Sequence, residues 1–435
     1  MTASSLEKEI QKGVRLHDFY YLGKDLYCEK VRVREIVEAV GTPVFIYSHR
    51  TVVEHYQKLV RAFRSLRPLI CYSMKANSNL AILKSLISEG AGLDIVSAGE
   101  LYRALRVGCD PEKIVYAGVG KTEEEIETAI RVGILLFNVE SRPELDTMNR
   151  IAKRLKKKVQ VSLRVNPGID PHTHDHIATG KAESKFGLDL DTAHAIFFSR
   201  EEFPSLSICG IHVHIGSQIV TGDPFVKAFR KILIFITSLE KEGYSIRYLN
   251  LGGGLGIIYS DEQPQTADEF AKELAPLFRN KKFRLIFEPG RFIVGNAGIL
   301  VTRTLYIKQT PMKNFAIVDA GMNDLIRPTL YDSHHVLWPL EKDSRRKKWV
   351  YDVVGPVCES GDFLARDRYT EELRAGDYLA ILSAGAYGFS MSSNYNSRPR
   401  ASEILVKGKE FAVVRKRETS EDLIRGERIP TFLAR

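Results

Sequence analysis

No stretch of the chain holds the roughly 18 consecutive apolar residues that a membrane-crossing helix needs. The opening MTASSLEKEIQKG also lacks the apolar core of a secretory signal, which gives the expectation of a cytoplasmic protein with no membrane partner. Cysteine is sparse: Cys28, Cys71, Cys109, Cys209 and Cys358 are odd in number, far apart and without a C-x-x-C pair. That argues against a disulfide framework or a structural zinc and leaves reduced thiols. Low-complexity segments are missing too, and the only internal repeat is an alternation described below. The net charge of +9 invites a nucleic-acid reading, but the basic runs at Lys153 to Lys158 and Arg345 to Lys348 are short and have no recognisable binding module around them. They read as solvated faces, on a surface that would draw in anions.

What is present is ordinary globular material, 44% apolar and 27% charged, in 435 residues. That length suggests about two domains. Residues 1 to 42 are polar with short apolar runs and end in the turn signal Gly41-Thr42-Pro43, before Val44-Phe45-Ile46-Tyr47. From Cys71 onward strand-like runs alternate with helical patterns: the run ending at Lys75, then Leu93 to Val96, Ile114 to Ala117, Leu135 to Val139, Val159 to Val165, Gly210 to Ile215, Tyr248 to Leu251 and Leu285 to Phe287. The helical segments are amphipathic, and Ser97 is a candidate N-cap for the helix around Glu100 to Val107. Eight strands in alternation with helices point to an α/β fold of the closed, parallel (β/α)8 TIM-barrel type. After about residue 295 the pattern becomes Val/Ile/Tyr-rich runs at Ile299 to Ile307, Phe315 to Val318, Val350 to Val354, Tyr378 to Leu382, Glu403 to Val406 and Phe411 to Val414. A barrel over 44–295, with 1–43 and 296–435 forming a β-rich sandwich or barrel domain, is the expected division.

The functional end of such a barrel is the C-terminal end of its strands. Lys75, in YSMKAN, sits just past the first strand, a place for a Schiff-base lysine or for a plain surface lysine. The seventh strand leads into Asn250-Leu251-Gly252-Gly253-Gly254-Leu255-Gly256 and the eighth into Glu288-Pro289-Gly290-Arg291. Loops after strands seven and eight often bind phosphate through exposed backbone N–H groups. A tight turn without a ligand reads equally from GGGLG alone. His212 and His214 share a strand face after the sixth run; they suit either a metal pair or an imidazole stacked on a ring with Ser217 reaching a phosphate. Pro171 to His176 resembles a metallo-hydrolase H-x-H-x-D-H run but is one residue short between the second His and the Asp, so no metal is expected there or elsewhere.

Together, YSMKAN, AGLDIVSAGEL, SKFG (184–187), HVHIGSQ, LNLGGGLG, EPGR, DAGMNDLIRPTLYD (319–332), GPVCESGD (355–362) and AGAYGFSMSSNYNSRPR (384–400) resemble the diaminopimelate decarboxylase family, from about Gly41 to the segment Arg415 to Ser420. The resemblance implies a fold of the alanine-racemase type, pyridoxal 5'-phosphate as cofactor, and conversion of meso-2,6-diaminopimelate to L-lysine and carbon dioxide. It implies that Lys75 carries the cofactor, that Gly253, Gly254 and Ser217 with the Pro289, Gly290 and Arg291 segment hold its phosphate, that Glu288 faces the pyridine nitrogen and that His214 stacks on the ring. Cys358 is implied as the proton donor to the α-carbon, a role open to a thiol near neutral pH, against the alternative of a structural cysteine.

Arg291, Arg327, Tyr331 and Glu359 are implied in substrate recognition, with Tyr387 touching cofactor and substrate. Arginines in bidentate contact with a remote carboxylate would favour diaminopimelate over ornithine; an ordinary ion pair is the bland reading of Arg327 and Glu359. The family further implies a homodimer in which Cys358 and Glu359 complete the partner's Lys75 site. Sibling decarboxylases acting on ornithine, arginine or carboxynorspermidine, a cofactor carrier without catalysis, and a cofactor-free Schiff-base aldolase are the rival functions.

Overall fold

The computed structural model describes residues 16–169 and 185–433. They divide into two compact units, one within 51–295 and the other made of 16–50 with 296–433.

In the first unit eight strands close into a parallel barrel: Leu69–Ser73, Gly92–Ile95, Ile114–Tyr116, Leu136–Val139, Val159–Arg164, Leu206–His212, Tyr248–Asn250 and Arg284–Phe287. The ring shuts where Ile286 pairs with Leu69 and Phe287 with Ile70. All eight expected runs are strands, because each is a short apolar segment that a barrel buries on its inner and outer faces at once. Leu69, Cys71, Val115, Leu135, Leu136, Cys209 and Ile286 pack one buried cluster. Each aliphatic side chain there stabilises by about 1.5–3 kcal/mol. Two of the five cysteines thus serve as small hydrophobes.

The helices between strands are capped where the sequence places cap residues. Ser97 accepts a hydrogen bond from the Glu100 N–H at the start of Ala98–Arg106. Thr122 and Glu125 form a reciprocal capping box for Glu123–Val132, which ends on Gly133 in the left-handed region at φ 80°. Each cap is worth about 1 kcal/mol.

The second unit is β-rich. Phe19–Leu22, Asp25–Cys28 and Val31–Arg32 form a small antiparallel sheet. A nine-stranded sheet runs in the order Phe363–Glu371, Lys348–Val354, Asn314–Val318, Gly298–Gln309, Val44–Ser48, Ser402–Lys407 and Glu410–Arg415, with Leu337–Pro339 and Tyr378–Ile381 attached to its side. Val44–Ser48 corrects the expected boundary at residue 44. This strand lies in the second unit, antiparallel to Gly298–Gln309 and parallel to Ser402–Lys407. Every one of its five residues is buried, and a strand so apolar needs neighbours on both edges, which that sheet supplies. Phe363–Glu371 was not legible in advance, since FLARDRYTE carries four charged residues and only two of its positions are buried.

Among the described residues no helix is long and apolar enough to cross a membrane.

Candidate active site

The barrel gathers its charged residues at the C-terminal ends of its strands. Lys75 sits in a single 3-10 turn, Met74–Ala76, directly after the first strand. That turn is fastened to the far side of the closure, for Ser73 N–H donates to the Pro289 carbonyl at 3.0 Å. A Cβ added to Gly290 would meet Ala76 Cβ at 3.1 Å and Ser73 Cβ at 3.2 Å. A side chain there would be tight, so glycine suits the close approach of the Glu288-Pro289-Gly290 segment to the lysine turn. The Lys75 side chain is 43% exposed, with Nζ 4.0 Å from Oδ2 of the buried Asp94. Asp94, on the second strand, also accepts from Ser73 Oγ at 2.7 Å.

Glu288 follows the eighth strand and points inside the barrel. Its Oε1 accepts from Asn138 Nδ2 at 3.1 Å and Asn250 Nδ2 at 2.6 Å, and its Oε2 lies 3.2 Å from His212 Nε2. Burial opposes ionisation of Glu288. The His212 imidazole, by charge and hydrogen bond, together with Lys75 and Asn250 outweighs that and holds the carboxyl below the usual carboxylate range. The opposite holds at Asp94, where burial and then the Glu288 charge push the carboxyl well above its ordinary value, against the pull of Lys75 and Ser73. Two buried carboxyls are therefore driven apart, one toward the anion and one toward the neutral acid, which is the pattern of an acid/base site.

His214 stands beside them, half-buried, its Nδ1 accepting from Gly253 N–H at 3.2 Å. Burial, then the Lys75 charge, push its imidazole well below the usual histidine range. The ring is neutral with its proton on Nε2. The His212 and His214 rings each face a protein partner, Glu288 for one and Gly253 for the other. Among the described residues no group of three or more His, Cys, Asp or Glu is arranged to hold a metal. The Pro171 to His176 run lies outside the described residues, as does Ser184 of the SKFG motif.

The glycine cluster after the seventh strand is required by packing. Gly254 has φ 106°, and a Cβ there would lie 2.4 Å from the Gly216 carbonyl oxygen; at Gly253 it would lie 2.2 Å from the Glu288 carbonyl oxygen. The loops after strands six, seven and eight are laced through Ile219 N–H to Gly254 O at 2.9 Å and Glu288 N–H to Gly252 O at 2.7 Å. Beside them the buried Arg291 guanidinium donates to Ser217 Oγ at 3.1 Å and to Tyr259 Oη at 2.5 Å. A hydroxyl, a guanidinium and side-chain-free backbone thus come together where strand-end loops in such barrels bind phosphate.

The remaining candidates belong to the second unit. Cys358 is exposed on the loop 355–362, which Asp362 pins by accepting from Met322 N–H and Val357 N–H, each at 2.6 Å. Cys358 N–H donates to Asn396 Oδ1 at 2.8 Å, and Tyr395 Oη donates to Glu359 Oε2 at 3.1 Å. Arg327 is buried at the start of the short helix Arg327–Tyr331, its Nη1 3.1 Å from His335 Nε2. Tyr331 and Tyr387 are both half-buried. Tyr387 adopts φ 58° and Ser383 φ 56°. A non-glycine residue there costs about 1–2 kcal/mol and such strain gathers at functional loops.

Sequence reading alone passed over Asp94, Asn138, His212 as the partner of Glu288, Asn250, His335 and Asn396. Asn250 and Asp94 stand inside quoted motifs and carried a signal; Asn138 did not.

Residues 49–295 match the family model described as the pyridoxal-dependent decarboxylase, pyridoxal binding domain. The diaminopimelate decarboxylase of Aquifex aeolicus is 49% identical over 405 residues, which cover 93% of this chain and 96% of that protein. The chain belongs to the diaminopimelate decarboxylase family. Two solved structures of the family agree in fold. The M. jannaschii enzyme in complex with L-lysine superposes with a TM-score of 0.91 at 36% identity, covering 96% of this chain and 99% of that one. The Helicobacter pylori enzyme complexed with L-lysine gives 0.87 at 40% identity, covering 90% and 98%.

The donor set fits the cofactor of this family: an exposed amine at Lys75, a buried anion at Glu288 for a protonated pyridine nitrogen, a neutral ring at His214, and Ser217 with Arg291 for a phosphate.

Proposed function

We propose that the protein decarboxylates meso-diaminopimelate to L-lysine and carbon dioxide, the closing reaction of lysine synthesis by the diaminopimelate route, with pyridoxal 5'-phosphate as cofactor. One observation carries the reading: Glu288 is held ionised inside the barrel by Asn138, Asn250 and His212, near enough to Lys75 for the ammonium to lower it further. The identity to the Aquifex aeolicus enzyme supports the choice of substrate.

When bound, pyridoxal phosphate supplies an electron-withdrawing ring that takes up the electron pair released as carbon dioxide leaves. Lys75 would provide the amine that holds the cofactor. Glu288 keeps a proton on the pyridine nitrogen, since a cation in its place would weaken the ring as an electron sink. His214, being neutral, offers a ring face for packing without adding positive charge. Ser217, Gly253, Gly254 and the backbone of Pro289, Gly290 and Arg291 hold the phosphate. Cys358 delivers the proton to the α-carbon that lost the carboxylate, as a general acid. Arg291, Arg327, Tyr331 and Glu359 hold the remote end of the substrate, and Tyr387 touches both molecules. The working form is a cytoplasmic homodimer in which Cys358 and Glu359 serve the partner's Lys75.

Borohydride reduction of the purified protein followed by peptide mass mapping should place the label on Lys75, and carbon dioxide release should be faster with meso-diaminopimelate than with L-lysine, ornithine or arginine. A label on another residue, or equal release from all four, overturns the reading. Mixing a Lys75→Ala chain with a Cys358→Ala chain should restore activity; a mixture as inactive as its parts counts against a shared site.

A further inference from the structure

We infer that His335 is a positioning residue that sets the plane of the Arg327 guanidinium toward the remote carboxylate of the substrate, an inference that rests on the role given to Arg327 above. His335 is completely buried. The helix Arg327–Tyr331 is closed by Asp332 in the left-handed region at φ 49°. The reversal that follows brings His335 back against the helix's first residue.

Its two ring nitrogens have partners of opposite kind. Nδ1 lies 2.8 Å from the Leu382 carbonyl oxygen, which can only accept. Nε2 lies 3.1 Å from Arg327 Nη1, which can only donate. One tautomer satisfies both contacts: the proton sits on Nδ1, and Nε2 presents a lone pair to the guanidinium. A doubly protonated ring would set N–H against N–H of a cation, so the ring orienting Arg327 is neutral and cancels none of its charge.

The support behind the ring is rigid. Leu382 continues the strand Tyr378–Ile381, and its own N–H donates to the Val336 carbonyl at 2.9 Å, so the residue that anchors His335 is itself anchored beside it. A guanidinium presents its donors in a fixed planar fork; holding one Nη sets the direction of the rest. Bidentate capture of a carboxylate depends on that plane. Geometry of this kind is worth building only where the far group is planar and charged; diaminopimelate has such a carboxylate at its remote end and its product L-lysine keeps it, since the carboxylate lost is the one at the reacting carbon, whereas cadaverine has none.

The test compares His335→Asn, His335→Gln and Arg327→Met in the holoenzyme. Asn keeps a donor for the Leu382 carbonyl but falls short of Arg327; Gln reaches the position of Nε2 with an acceptor. His335→Asn should raise KM for meso-diaminopimelate about tenfold with little change in kcat, while His335→Gln stays within about threefold of the parent. Inhibition by L-lysine should weaken in parallel with the KM in His335→Asn, and inhibition by cadaverine, which lacks the carboxylate, should be unchanged in both. A parent-like KM in His335→Asn beside a raised KM in Arg327→Met overturns the inference and leaves the role of Arg327 standing. Weakened inhibition by cadaverine in parallel with the raised KM also overturns it, since the damage would not be specific to the carboxylate. A parent-like KM in Arg327→Met removes the assignment of Arg327 itself, and the role of His335 falls with it.

Discussion

Glu288 of the barrel and the Cys358 loop of the second unit, both proposed parts of the site, are held in opposite ways. Glu288 is buried and accepts from two amides and an imidazole that come from three different strands. Cys358 and Glu359 are exposed, and the contacts that orient their loop come from the exposed Asn396 and Tyr395 together with the carboxylate of Asp362. A buried charge must have its partners built around it, because an unmet one costs several kcal/mol. An exposed thiol needs only a loop of defined shape. The Glu288 side is therefore expected to be sensitive through stability and electrostatics, and the Cys358 loop mainly through rate.

Cys358→Ala offers the largest expected effect. Turnover should fall by about 10²–10⁴ if the thiol is the general acid, while the melting temperature stays at the parent's value, since the side chain is exposed. An unchanged rate, measured by carbon dioxide release, removes Cys358 from the chemistry.

On the barrel side, Gly253→Ala should cost about 1–3 kcal/mol of stability in urea unfolding, as the new methyl would lie 2.2 Å from the Glu288 carbonyl oxygen and the loops must part to admit it. An unfolding midpoint equal to the parent's would show that those loops yield freely.

Asp94→Asn sharpens the electrostatic side. Burial and the Glu288 charge raise the Asp94 carboxyl well above its unfolded value. The stability this group contributes is then complete below about pH 4 and is lost as pH rises toward the folded value. Asparagine abolishes that loss. In protein stripped of cofactor, the melting temperature of the variant should climb relative to the parent as pH is raised from about 4 to 8; a difference that does not change with pH contradicts the charge assignment. Glu288 runs the other way: its carboxyl is lowered, so its contribution is present above the unfolded value and fades as pH falls through the folded one.

The smallest effect is expected at Asn396→Ala. Loss of its hydrogen bond to Cys358 N–H should cost less than about 1 kcal/mol of stability, because water replaces the acceptor at an exposed site. Turnover should nonetheless drop severalfold if the loop's shape matters, and calorimetry beside a rate assay separates the two.

Much of this was legible in the chain. Apolar runs alternating with capped amphipathic helices determine a barrel whatever surrounds them, since each run is too apolar to face water and each cap residue answers a local backbone need; Ser97 and Thr122 show it. Lys75, Glu288 and the glycines were readable because they stand at strand ends, where position along the chain nearly equals position in space. Only the tertiary structure could decide which unit owns Val44–Ser48, since a largely apolar strand is content in either sheet and its neighbours are more than 200 residues away at Gly298 and Ser402. It likewise decided that Glu288 is pushed toward the anion and Asp94 toward the neutral acid. Charge state inside a protein is set by what surrounds a carboxyl in three dimensions, and Asn138 and His212 reach Glu288 only after the barrel has closed.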